Sequence, residues 1–161
     1  MTKEELRKRT CCFTGHRRIS CEDLPNIKYR IRIAILSAIN EGYTFFGCGG
    51  ALGFDILAAQ TVLELKKEYA HIRLILVLPC LSQTRYWRNN DVSEYERIKE
   101  NADKVVYISR EYTKDCMYKR NRHLVDNSSL CICYCIRQSG GTAYTVSYAK
   151  SHGLRIDNIS F

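Results

Sequence analysis

Apolar and polar positions along this chain switch repeatedly between two periods. Short runs that alternate or stay apolar are followed by longer stretches of helical spacing. Thr10-Cys-Cys-Phe-Thr14 is β-rich and ends at Gly15. Ile27, Ile31, Ile35, Ala38 and Ile39 mark a helix over 27–40, with Gly42 as its stop. Tyr43-Thr-Phe-Phe46 reads as the second strand, Gly47 to Gly53 as a turn, and Phe54 to Tyr69 as a helix rich in Leu, Ala, Lys and Glu. Ile72 to Leu78 is apolar on both faces and stops at Pro79, the pattern of a central strand covered by helices.

The second half repeats the scheme. Glu94 to Asn101 is helical, Lys104 to Ser109 a fourth strand, Tyr118 to Asn127 a short helix, and Leu130 to Ile136 a fully apolar strand. Gly140-Gly-Thr142 opens a helix through Lys150, Gly153 stops it, and Arg155 to Ser160 is an edge-strand candidate. Strands separated by helices imply βαβ units, so the expected fold is a Rossmann-like, three-layer α/β/α domain with a mainly parallel sheet. Right-handed crossovers then bring every strand-to-helix turn to one edge, where open α/β sheets bind ligands.

Composition narrows the class. The 161 residues fit one domain spanning 1–161, and 45% hydrophobic with 26% charged residues is globular rather than disordered. The longest apolar run, Leu74 to Leu81, is too short to cross a bilayer, and the charged stretch from Met1 to Thr10 lacks an apolar signal core. A cytoplasmic protein without a membrane partner is expected. In that compartment the nine cysteines are reduced thiols. Cys131, Cys133 and Cys135 share one face of a strand and lack paired zinc spacings, so packing is expected and a metal site is not. The net charge of +8 suits nucleic acid or an anionic small ligand. The basic residues are dispersed rather than interleaved with stacking aromatics, which favours the small ligand.

Four turns carry candidate chemistry. Gly47-Cys-Gly49-Gly50-Ala-Leu-Gly53-Phe-Asp55 follows a strand and opens a helix, the context in which glycines bring backbone N–H groups to a phosphate. Asp55 either caps that helix or accepts a ribose hydroxyl, and the bland alternative is a turn that needs positive φ. Ser139-Gly140-Gly141-Thr142 is a second turn of this type, with Thr142 as helix cap or phosphate donor. Thr14-Gly15-His16-Arg17 leaves the first strand; Arg17 suits a phosphate, and His16 reads as pocket wall rather than catalyst. Arg120 and Asn121 are placed to reach a phosphate and Asp126 to fix it or a ribose, although a surface ion-pair network explains them nearly as well. Gln83 and Trp87 follow the third strand, and Trp87 stacks on a base or closes the core, with core favoured.

Taken together, Thr14 to Arg17, Gly49 to Asp55, Ala58-Ala59, Pro79 with Gln83 and Trp87, Arg120-Asn121 with Val125-Asp126, and Gly140 to Thr142 resemble the YpsA-like family of the SLOG superfamily. The resemblance is collinear from about residue 10 to 150. It implies a bacterial or phage-borne cytosolic protein with a pocket for a nucleotide or ADP-ribose-like ligand. It also implies kinship with the DNA-processing DprA proteins and with the LOG phosphoribohydrolases, which cleave the N-glycosidic bond of nucleoside monophosphates. The LOG signature Pro-Gly-Gly-x-Gly-Thr-x-x-Glu ends in a glutamate that helps catalysis; here Ser139 to Thr145 puts Thr145 at that place. Glycosyl chemistry needs a carboxylate, which Thr145 does not supply, leaving Asp55 and Asp126 as the substitutes. The leading expectation is therefore binding or sensing of a phosphate-bearing ligand. The alternatives are a nucleoside 5′-monophosphate N-glycosidase and a DprA-like single-stranded DNA binder, and self-association is compatible with any of them.

Overall fold

The computed structural model describes residues 1–160, over which strands and helices alternate. After helix α1 (Lys3–Lys8) come β1 (Thr10–Gly15), α2 (Leu24–Asn40), β2 (Phe45–Cys48), α3 (Phe54–Lys66) and β3 (Arg73–Leu78). These are followed by α4 (Asn89–Asn101), β4 (Lys104–Tyr107), α5 (Cys116–Asp126), β5 (Leu130–Tyr134), α6 (Gly141–Ser151) and β6 (Arg155–Asn158). The six strands form one sheet in the order β4-β3-β2-β1-β5-β6, and every pair is parallel. The chain steps outward from β1 to β4, then returns to β5 on the other side of β1. Strand order therefore reverses at β1/β5, and the crevice at the carboxyl ends of those strands is where such sheets take ligands.

The period of two in each strand divides the core. Cys11, Phe13, Phe46, Leu74, Leu76, Ile132 and Tyr134 pack under α2, α3 and α4. Their neighbours Cys12, Val77, Cys131 and Cys133 point the other way, under α5 and α6. The clustered cysteines thus behave as small apolar residues. All nine are free thiols, and seven are buried. Burial pushes the Cys11 and Cys48 thiols up, and hydrogen bonding to Cys12 and Cys133 does so for Cys131. Among the described residues no helix is long and apolar enough to cross a membrane.

Boundaries differ from expectation where side-chain period gives way to other forces. Helix α1 has no buried residue and no apolar stripe; a capping box forms it, with Thr2 Oγ1 accepting from Glu5 N at 3.1 Å and Glu5 Oε2 accepting from Thr2 N at 2.9 Å. Helix α4 starts at Asn89, five residues before Glu94, because its first turn is polar. Gly47 belongs to β2 rather than to the following turn. A Cβ there would sit 2.9 Å from Leu124 Cδ2, so the glycine lets α5 lie close on the sheet.

Truncating a fully buried side chain beside β1 should be costly, and truncating an exposed one should not. Ile132→Ala, in β5, is expected to lower the free energy of unfolding by about 2–5 kcal/mol. Ile33→Ala, half-exposed on α2, should stay within about 0.5 kcal/mol. Urea denaturation of both variants checks this.

Candidate functional site

A cavity of about 430 Å3 opens at the β1/β5 crevice. Its walls come from the turn after β1 (Thr14 to Arg17), Ala51 and Asp55 of the glycine loop, the segment entering α5, and the start of α6. A wider hollow of about 670 Å3 between α3 and α4 is lined by Gln60, Glu64, Lys66, Lys67 and Arg97; it is a charged helix surface away from the strand ends.

Close backbone contact locks the glycine loop to the rest of the site. The Gly49 carbonyl accepts from Arg120 Nη1 and, at 3.3 Å, from Gln83 Nε2, whose own Oε1 accepts from Tyr95 Oη at 3.1 Å. A Cβ on Gly49 would lie 2.5 Å from the Arg120 guanidinium, so only glycine admits that bond. Gly53 has φ +80°, and a Cβ there would lie 2.2 Å from the Arg17 carbonyl oxygen. Next to it, Phe54 N donates to the His16 carbonyl at 3.1 Å. The turns after β1 and β2 are therefore one rigid piece.

Asp55 forms the floor. It does not cap α3, whose N-cap is Gly53 without a side-chain bond. Instead its Oδ2 reaches back to accept from Ala51 N at 3.2 Å, fastening the loop from inside. The carboxylate is only 7% exposed and its Oδ1 has no hydrogen-bond partner. Burial pushes the carboxyl up from its ordinary 3.8 to about 6, against the pull of Arg120, the Ala51 N–H and Arg17. Arg120 is 4% exposed, and burial lowers its pKa while Asp55 opposes that shift. Its donors go to the Gly49 carbonyl, to Asn121 Oδ1 at 2.7 Å and to Met117 Sδ at 3.8 Å. Arg120 thus supports the loop and also lines the cavity.

The opposite wall is the N-terminus of α6. Gly140 is its N-cap and forms no side-chain cap bond; Thr142 lies one residue inside the helix and does not cap it. Gly141 and Thr142 line the cavity, so the positive end of the α6 dipole lies at this wall. Arg17, exposed beside them, supplies a cation. His16 acts as a clip: its Nε2 accepts from Ile136 N at 2.9 Å, and its ring meets Tyr134 edge-on at 5.4 Å. Burial, reinforced by Arg137, lowers its pKa and keeps it neutral, as that bond requires. Thr145 is buried and donates its hydroxyl to the Gly141 carbonyl at 3.0 Å.

Several expected site residues lie elsewhere. Gly47 is under Leu124, Gly50 faces Leu78 and Tyr95, and Gln83 is buried behind the loop. Trp87 packs on the core, edge-on to Tyr95 at 5.3 Å. Asp126, exposed near the far end of α5, accepts from Tyr148 Oη at 2.7 Å. Ser139 and Gly140 form the exposed approach to α6. Conversely, Tyr112, Lys114, Met117 and Tyr118 line the cavity without any glycine or helical signal to announce them. Tyr112 and Lys114 lie in the turn after the fourth strand and Met117 and Tyr118 in the first turn of α5, and that placement was the available clue.

The family model YpsA, described as the YspA SLOG family, matches residues 11–161. This chain is a YpsA-family SLOG protein. It is 33% identical over 127 residues to UPF0398 protein BH1768 of Halalkalibacterium halodurans, covering 77% of this chain and 67% of that protein. It is 29% identical over 130 residues to UPF0398 protein BCB4264_A1614 of Bacillus cereus strain B4264, covering 79% and 71%. Among solved structures, DNA processing protein A of Helicobacter pylori superposes with a TM-score of 0.65 at 19% identity, over 96% of this chain and 66% of that one. DNA processing protein A of Streptococcus pneumoniae gives 0.66 at 16% identity, over 94% and 50%. This chain therefore spans two thirds or less of those two proteins, and at such identities the likeness is one of fold.

A carboxyl raised in the folded state contributes stability below its unfolded value and loses it as pH climbs through the folded value. Wild type should therefore lose stability relative to Asp55→Asn between about pH 4 and pH 7, by at most about 3 kcal/mol, and then level off. Urea denaturation of the pair across that range tests it; a difference that ignores pH would place the Asp55 titration outside this range.

Proposed function

We propose that this YpsA-family protein is a cytoplasmic binder or sensor of a small phosphate-bearing, nucleotide-like ligand, held in the β1/β5 cavity. The observation that carries this is the buried Asp55, which has one carboxylate oxygen unpartnered and lines a cavity whose other wall is an uncapped helix N-terminus. A buried acceptor without a donor is costly, and a ligand hydroxyl satisfies it. The α6 amides and Arg17 suit the phosphate. Thr14, Gly15, Asn121, Gly141 and Thr142 are walls, while Gly49, Gly53 and Arg120 hold the walls in place. Thr145, tied to a helix carbonyl where the LOG hydrolases have a glutamate, favours binding over N-glycoside cleavage.

A second reading draws on H. pylori DNA processing protein A, which shares the fold and has a single-stranded DNA binding mode. The net charge of +8 favours it too. Phosphate contacts would then give a steep fall of affinity with salt.

Thermal-shift and calorimetric titration with AMP, ADP-ribose, NAD and cyclic AMP tests the first reading. One of these, at about a hundred times its dissociation constant, should add about 2.7 kcal/mol of stability. Arg17→Ala should weaken it by about tenfold, the loss of a charge-assisted contact. Stabilisation by none of them removes this reading. Retention of an oligothymidylate near physiological salt, with a steep negative salt slope, would install the second in its place.

A further inference from the structure

Two tyrosines stand at the rim of the cavity without a structural task that explains them. Tyr112 lies in the turn before α5 and is 66% exposed, and Tyr118, on the first turns of α5, is 44% exposed. Lys114 lies between them in sequence and also lines the cavity. Tyr118 is braced from behind. Its ring meets Tyr144 edge-on at 5.1 Å, and Tyr144 stacks along α6 on Tyr148 at 6.5 Å. Tyr148 is fixed in turn by its hydroxyl bond to Asp126 and by His152, stacked on it at 3.9 Å. This chain of contacts restricts the Tyr118 ring, which lowers the side-chain freedom lost on binding.

Resting on the phosphate-site reading above, we propose that Tyr112 and Tyr118 form a stacking subsite for the base of that ligand. The cavity then divides by chemistry. The α6 N-terminus and Arg17 take the phosphate, Asp55 takes a sugar hydroxyl, and the rim takes an aromatic base. A sugar phosphate satisfies the first two and offers nothing flat to the third. Every nucleobase has a π face, so stacking recognises the class without choosing among its members. Lys114 supplies the rim with a donor for a base oxygen or nitrogen.

The test is calorimetric titration of the full chain with ribose 5-phosphate and, separately, with AMP, GMP, CMP and UMP. At least one nucleotide should bind about tenfold or more tighter than ribose 5-phosphate. Tyr118→Ala and Tyr112→Ala should erase most of that advantage and leave ribose 5-phosphate unchanged, while Tyr118→Phe should keep it. Equal affinity for ribose 5-phosphate and all the nucleotides overturns the base subsite and leaves the phosphate site standing. So does an equal loss of both ligand kinds in the alanine variants. Binding of neither kind removes the phosphate site and the subsite together.

Discussion

Burying a guanidinium is costly unless its donors find acceptors, and the candidate site is arranged around how Arg120 meets that demand. The carbonyl of Gly49 serves it, which is feasible only because residue 49 has no side chain. The same carbonyl takes Gln83, and through Gln83 the loop is tied to Tyr95 and the turn after β3. Asp55 lies near enough to oppose the fall in the Arg120 pKa, and one of its oxygens fastens Ala51. One cation thus holds the loop in place and pulls against the burial that raises the Asp55 carboxyl. Breaking this contact leaves a buried cation short of an acceptor, which is costly.

A division of labour follows. The groups that shape the cavity are largely buried and bonded to one another, whereas Arg17 and the start of α6 are exposed at its wall. Preorganisation of this kind lets binding energy go to the ligand rather than to ordering the protein. His16 belongs with the first set. It holds the turn after β1 against the exit of β5, across the point where strand order reverses.

The alternation of strands and helices and the two glycine turns were legible in sequence because period and backbone need are local properties. Arg120 was legible as part of the site but not in its role, since whether a guanidinium faces a ligand or a carbonyl depends on a contact 71 residues away. Gly47 shows the same limit: its lack of a side chain answers to Leu124 on α5, not to its own turn. Thr142 and Asp55 each read as a cap or a ligand contact; the cap position in each helix is taken by a glycine, at Gly140 and Gly53. The rim tyrosines lie in and just after a loop, where no period distinguishes them from ordinary surface. Helix α1 escaped because a capping box, not an apolar face, makes it.

The sheet also has a bearing on how the chain must be handled before it is folded. Cys12 and Cys131 stand opposite one another on adjacent strands, and seven of the nine thiols are enclosed once β1 and β5 have joined. In the finished molecule, oxidants in water meet Cys21 freely and Cys135 in part. The nascent chain enjoys no such shelter. The chain must extend through β5 (Leu130–Tyr134) before β1 gains that neighbour, and until then the early cysteines are open to mispairing. Reducing conditions thus matter most during synthesis and refolding, and least for the native state they produce.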